Sequence, residues 1–498
     1  VNYHHAFGEN HAVNALAVYS EEYWYNRYLG ASRNDRIHPS LSEIDAALTT
    51  IQSASGNSNS EGLRSYISRL NYTAYNKYLL EGNFRVDGSS KFLKGSQYGF
   101  FPSGAFGWRF TEEKFLNFLK QVVNDGKLRV SYGALGNNSG VGRFEQQETL
   151  DAAHYMINNN IAMGLTYSQL INRELTWEST KVFNTGLDLG FLRNRLRVEL
   201  DYYDRFTHGM LRPSDISIFL EGAYNAPRRN IGNLRNRGVE LNLKWAERLN
   251  EFNYGATFNA SYNVNRLEKW NEYLGRGTTF LNMPYGFVYT YVDRGIAQTW
   301  NEVYKATPQG AGPGDLLYED LNGDGRIDGN DRKALKVLSG RPTTYGSLNL
   351  FAAWKGIDFS IFFTGATGRK SFYLSNYKDL NFGNARNAMT WDHWNNPWTV
   401  ENRNAPWPEL GGPGRNQDQS TFWLDDMSYV RLKNIQLGYS VPASLLNKIT
   451  AKSLRVAFSG ENLTTLTRYR GLDPEKQGNA NDVYPINRSY NLSILLGF

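Results

Sequence analysis

Apolar and polar residues alternate at every second position in segment after segment of this chain. In NRLRVELDYYDRF, Leu196, Val198, Leu200 and Tyr202 fall on one face and Arg195, Arg197, Glu199 and Asp201 on the other. The rhythm returns in NRGVELNLKWAERL, where Val239, Leu241, Leu243 and Trp245 oppose Glu240, Asn242 and Lys244. It returns again with Tyr254, Ala256, Phe258, Ala260 and Tyr262, and with Leu348, Leu350, Ala352 and Trp354. Successive side chains of a strand point to opposite faces, so each segment predicts a strand with one face suited to lipid and one to water. The final segment, RSYNLSILLGF, keeps Tyr490, Leu492, Ile494, Leu496 and Phe498 in phase to the last residue. Chain ends usually fray, so this pattern predicts a final strand paired along its whole length.

Counting such runs predicts about fourteen strands, several of about 10 to 14 residues, the length a tilted membrane strand needs. The connections sort into two kinds that alternate. Long ones are expected at 25–62, 135–178, 206–234, 265–342, 368–428 and 464–487, with a modest one at 88–96. Short ones are expected at 76–77, 191–194, 248–251, around Gly356 and at 442–452, with a helical-looking stretch at 111–126. Outer-membrane barrels carry short periplasmic turns and long extracellular loops, and a soluble sandwich has no reason to sort its loops this way. The expected fold is therefore all-β, a transmembrane antiparallel β-barrel whose terminal Phe498 also serves as an assembly signal.

Composition agrees. Aromatic residues make up 14% of the 498, with 32 Tyr, 27 Phe and 12 Trp, a surplus that suits aromatic girdles at membrane interfaces. No apolar run approaches the roughly 18 residues of a membrane helix. The absence of Cys removes disulfides, thiolate nucleophiles and Cys-bound zinc from consideration. The net charge of +6 is dispersed rather than gathered in a basic block, so no nucleic-acid partner is expected.

Several stretches carry a resemblance to a known family. They are LRSYISRLNYTAYNKYLLEGNFRVDGSSKF (63–92), YGFFPSGAFGWRFTEEKFL (98–116), LRVSYGALGN (128–137), NIGNLRNRGVELNL (230–243), DLNGDGRIDGNDR (320–332), YVRLKNIQLGYSVP (429–442), LRVAFSGENLTTLTRYRGLDPE (454–475) and the ending YPINRSYNLSILLGF. Together they make the chain similar to the C-terminal half to two-thirds of a SusC/RagA-type TonB-dependent outer-membrane transporter. The resemblance implies a barrel of about 22 strands around an N-terminal plug. Residues 1–498 then read as the C-terminal part of that barrel, with neither the plug domain nor the TonB box in this chain. It further implies import of oligosaccharides or peptides across the bacterial outer membrane. The implied partners are a SusD-like surface lipoprotein over the outer loops and the TonB complex, reached through the N-terminal region. Two other functions fit the pattern: a complete passive outer-membrane channel, and a soluble all-β calcium-binding scaffold.

DLNGDGRIDGND (320–331) fits the calcium-loop template, with Asp320, Asn322 and Asp324 at positions 1, 3 and 5 and Gly325 at the turn. The Arg326 carbonyl, Asp328 and Asp331 complete a set of hard oxygen ligands for a structural Ca²⁺. The ion is favoured because the loop lies on the outer side, where calcium is plentiful; the alternative is an Asx-rich turn with no ion. TWDHWNNPWTVENRNAPWPEL (390–410) carries Trp391, Trp394, Trp398 and Trp407, which can stack on sugar rings or peptide side chains or pack loops together. His4, His5 and His11 lie in an extended segment and make a weak metal set. YRGLDPE (469–475) reads as a turn in the last outer loop. No G-x-S-x-G elbow or P-loop is present, and no enzyme is expected.

Overall fold

A computed structural model describes residues 1–214, 226–270, 280–373, 391–411, 415–446, 451–476 and 486–498. It is 61% strand and 8% helix, and among the described residues no helix is long and apolar enough to cross a membrane. Fifteen strands form one sheet in chain order. They are β1 (Asn2–Phe7), β2 (His11–Arg33), β3 (Gln52–Ala74), β4 (Tyr78–Ser89), β5 (Tyr98–Trp108), β6 (Val123–Asn137), β7 (Glu178–Phe191) and β8 (Leu196–Pro213). There follow β9 (Arg228–Leu249), β10 (Phe252–Trp270), β11 (Thr344–Trp354), β12 (Ile357–Thr367), β13 (Tyr429–Ser440), β14 (Ser453–Thr467) and β15 (Ser489–Gly497). Each pairs antiparallel with the next.

Strand register turns the period-two pattern into continuous rows. On one face Tyr78, Trp108, Leu128, Leu187, Leu200, Leu241 and Ala260 stand side by side across seven strands. On the other face Lys127, Asp188, Glu199, Asn242, Asn259, Ser347 and Thr364 do the same. An uninterrupted apolar row open to the surroundings is tolerable in lipid and costly in water, so the first face is the membrane face. That outward band counts against the soluble scaffold. The polar face is laced with charge pairs: Arg129 donates to Asp188 at 2.7 to 3.0 Å and to Asp201 at 2.9 Å.

The turns of two to four residues, at 8–10, 75–77, 192–195, 250–251 and 355–356, all lie at one end of the sheet. The two-residue β9–β10 turn has Asn250 in the left-handed region (φ 55°), and the β11–β12 turn has Lys355 and Gly356 there (φ 47° and 85°). Glycine is required at 356, because a Cβ would stand 2.6 Å from the Ser440 carbonyl. The long connections, 34–51, 138–177, 271–343 and 368–428 among them, lie at the opposite end. Parts of the long loops expected at 206–234, 265–342, 368–428 and 464–487 fall outside the described residues.

Three expectations change. The sheet has fifteen strands rather than about fourteen, because Asn2–Phe7, holding His4 and His5, pairs with Leu16–His11. The loop expected at 25–62 shrinks to 34–51, since β2 and β3 stay paired from His11↔Ala74 to Arg33↔Gln52. The last strand is laddered along its whole length, but on one side only: Ser489–Gly497 pairs with Glu461–Ser453, and among the described residues its other edge has no partner. Phe498 sits one residue past it, exposed.

The face assignment has a direct test. Leu200→Arg puts a charge between Leu187 and Leu241 in the apolar row, at a cost of roughly 2 to 4 kcal/mol near the bilayer midplane, whereas Glu199→Arg alters only the wet face. The folded, heat-modifiable fraction is expected to fall for Leu200→Arg and to hold for Glu199→Arg. Equal yields would invert or void the assignment.

Candidate functional site

The two longest outer connections fold together over the sheet end into a cap with its own core. Phe287–Tyr291, Arg332–Ser339, Arg369–Phe372 and Leu424–Asp426 form a four-stranded sheet, and Asp293–Ile296 pairs with Leu316–Tyr318. Tyr291, Leu316, Tyr318, Tyr373, Trp407 and Trp423 are buried between them. The Trp407 ring lies nearly parallel to Tyr373 (5.8 Å, 26°) and to Trp423 (5.9 Å, 16°). Each buried indole finds an acceptor: Trp407 Nε1 donates to Asp392 at 2.8 Å, Trp423 to the Asn416 carbonyl at 2.8 Å, and Trp398 to Gln298 at 3.0 Å.

This separates the four tryptophans that the sequence grouped together. Trp398 and Trp407 are 6% and 3% exposed, so they hold the cap together and offer no stacking face. Trp391 and Trp394, on the short helix Trp391–Asn395, are 78% and 52% exposed. The structure adds a pair that sequence reasoning missed. On the helix Trp300–Lys305 the half-buried Val303 packs against the buried Ala297, Ala306 and Leu317, while Trp300 and Tyr304 stay exposed. Their rings lie 5.8 Å apart at 26°. A reciprocal cap fixes this helix: the Thr299 hydroxyl accepts from Glu302 N and the Glu302 carboxylate accepts from Gln298 N.

YRGLDPE is a clasp rather than a simple turn. Arg470 donates to Asp425 at 2.6 to 3.1 Å, and its guanidinium lies 5.0 and 4.9 Å from the Tyr373 and Trp407 ring centroids. Asp473 and Glu475 accept from Arg431 of β13 at 2.8 and 2.6 Å, and the Arg431 side chain is 3% exposed. Lys433 and the Tyr429 hydroxyl also donate to Glu475, both at 3.1 Å. Burial works to raise the Glu475 carboxyl, but Lys433, Arg431 and Tyr429 outweigh it and hold it below the ordinary glutamate value. One short loop thereby ties the cap to the wall.

The acidic loop is a web of Asx turns. Asp320 accepts from Gly323 N and Gly325 N at 2.7 and 2.9 Å, Asp324 from Arg326 N at 2.9 Å, and Asp328 from Asn330 N at 2.7 Å. Asp331, fully buried, accepts from Leu321 N and Asp328 N at 2.9 and 2.8 Å. Gly323 and Gly325 take positive φ, as the template's sharp turn requires. Among the described residues, no three His, Asp or Glu side chains converge as a metal cluster. His4 and His5 stand exposed on β1, and the His11 ring is hydrogen-bonded to the Tyr72 hydroxyl at 2.8 Å.

Known proteins share this architecture. The chain is 32% identical to TonB-dependent receptor P3 of Formosa agariphila over 95% of its length and 48% of that protein. It is 30% identical to TonB-dependent receptor SusC of Bacteroides thetaiotaomicron over 88% of its length and 44% of that protein. Among solved structures, that of the RagAB peptide transporter superposes on all of this chain and 54% of its own, with a TM-score of 0.84 at 25% identity. The chain is related to the SusC/RagA-type TonB-dependent receptors. It spans about half the length of the curated relatives it matches. A comparison with family-wide sequence profiles gives no match. Relationship to these receptors makes it an outer-membrane protein and gives the sheet its orientation, with the cap outside the cell.

In this SusC/RagA-type wall the clasp rests on a buried charge cluster. Arg431→Met leaves Asp473 buried without its cation, a loss of roughly 3 to 5 kcal/mol locally. Hydrogen exchange at 468–476 is expected to rise sharply while β3 to β12 stay protected. Acid should act in the same direction: with its folded pKa depressed, Glu475 contributes stability that is present above the unfolded value of about 4.3 and lost as pH falls through the folded value. Unchanged exchange at 468–476 in the variant would show that the clasp does not hold the loop.

Proposed function

We propose that the protein to which this chain belongs is a TonB-dependent importer that carries oligosaccharides or peptides across the outer membrane. The superposition of the whole chain on the RagAB peptide transporter supports this most. The fold supports it too. With fifteen strands alternating in direction, β1 and β15 would meet in parallel, so an all-antiparallel barrel needs an additional odd number of strands, and about 22 in all is the size class with a plugged lumen. A SusD-like lipoprotein would lie over the cap, and the TonB complex would act through a region outside this chain. Trp391, Trp394, Trp300 and Tyr304 are the aromatic faces offered to substrate, and Phe498 is the assembly signal.

The test is growth of a strain lacking the gene on oligosaccharides or on peptides as sole carbon source. Loss of growth on one class, reversed by the intact gene, is expected, together with uptake of that class that stops when the proton gradient is collapsed. Uptake that survives the collapse would favour a passive channel, and unchanged growth on both classes would remove the import function. Complementation with a gene lacking Phe498 should restore less uptake, in proportion to lower surface labelling.

The loop 320–331 is proposed to hold a structural Ca²⁺ through Asp320, Asn322, Asp324, the Arg326 carbonyl, Asp328 and Asp331. Carboxylate oxygens that accept one N–H retain lone pairs for a cation, so the Asx web and the ion are compatible. With both Asp331 oxygens committed to backbone donors, affinity in the range of roughly 10⁻⁴ to 10⁻³ M is expected, enough outside a cell. EDTA should speed proteolysis near 315–335 and leave heat-modifiable migration unchanged. Identical cleavage with and without EDTA would leave only an ion-free turn.

A further inference from the structure

The membrane face is not smooth over β10 to β14. A groove of about 1210 Å³ opens there, and strand register resolves it into three levels. At the extracellular rim stand Thr344, Thr367, Ser428 and Arg468, with the Ser428 and Thr367 hydroxyls 3.1 Å apart. Below them Ala260, Gly346, Gly365, Val430 and Leu466 form the floor. Phe258, Leu348 and Phe363 form the lower lip. Polarity therefore falls from the outer rim inward, in the direction that it falls along a lipid from headgroup to acyl chain.

We propose that this groove seats one anionic lipid of the outer leaflet, its phosphate on Arg468 and an acyl chain along the floor. Charge complementarity selects the occupant. Arg468 is exposed and forms no ion pair among the described residues, while the neighbouring Asp426 carboxylate is engaged by the N–H and hydroxyl of Ser428 at 2.9 and 2.6 Å. An unpaired guanidinium beside hydroxyl donors at the outer rim matches a phosphate at headgroup depth. A second copy of the chain fits less well, since two such faces would meet hollow to hollow and leave a void where interfaces pack as densely as protein interiors.

Native mass spectrometry of the full-length protein released from detergent tests this, with bisphosphorylated lipid A and zwitterionic phosphatidylethanolamine as competing probes. The wild type is expected to retain lipid A preferentially. Arg468→Gln, outside the strands, should weaken that binding about fivefold and erase the preference, the worth of one cation near a lipid surface. Gly346→Leu should abolish retention by filling the floor. The backbone there tolerates a side chain, because a Cβ meets nothing nearer than the Asn259 carbonyl at 3.6 Å. Heat-modifiable migration checks that both variants fold. Equal binding of lipid A by wild type and Arg468→Gln, or undiminished retention by Gly346→Leu, would overturn the proposal. So would conversion of a dimer to a monomer by Gly346→Leu with lipid binding intact, which would assign the groove to a second copy.

Discussion

In hydrocarbon no water can take up an unpaired N–H or carbonyl, so each strand that crosses the membrane must be laddered to a neighbour on both edges. The antiparallel ladder fixes residue opposite residue, and the two-residue pleat then forces the apolar half of every strand into common rows. Leu187, Leu200 and Leu241 are adjacent for that reason, as are Asp188, Glu199 and Asn242 behind them. The free edges of β1 and β15 are where the condition is unmet among the described residues. A sheet with two such edges is stable in a membrane only once further strands complete it.

Above the membrane the constraint lapses, and the chain returns to the logic of a globular protein. Loops 271–343 and 368–428 bury Tyr318, Trp407 and Trp423 in a core of their own, and their small sheets mix parallel and antiparallel pairs. A cap of this kind can be built or lost without touching the ladder beneath. Its attachment to the wall is electrostatic and local, through Arg431, Asp473, Glu475 and Arg470.

The same change of solvent explains what the sequence could and could not disclose. Where one face meets lipid, alternation marked the short-turn ends of β8 to β12 to within about two residues, while the outer ends of β8, β9 and β10 run on to Pro213, Arg228 and Trp270, inside the loops expected at 206–234 and 265–342. The upper parts of β2 and β3 lie beyond the lipid, and QSASGNSNSEG, polar on both faces, carries no alternation to read although it is paired throughout. Asn2–Phe7 was missed because His4 and His5 blur the two faces of a six-residue strand. In the cap the signals are tertiary. Trp398 and Trp407 are buried because Gln298 and Asp392 meet their indole N–H groups, and nothing local distinguishes them from the exposed Trp391 and Trp394. Trp300 and Tyr304 sit on a helix of six residues, too short to show a period.

YRGLDPE shows the limit most clearly. Gly471 and Pro474 mark a turn in any sequence, but the reason for its charges lies in Arg431, far back along the chain and nearly buried on the inner face of β13. Burying an arginine is costly unless carboxylates accompany it, and these two are supplied by a loop that must fold inward to reach it. The cost fixes the loop's position. Because the neighbouring Arg470 lies on Tyr373 and Trp407, the cap's aromatic core is held by the same loop that neutralises the wall. Wall and cap are therefore joined at β13, and any outward movement of this part of the cap must first expose the charges that Arg431 now compensates.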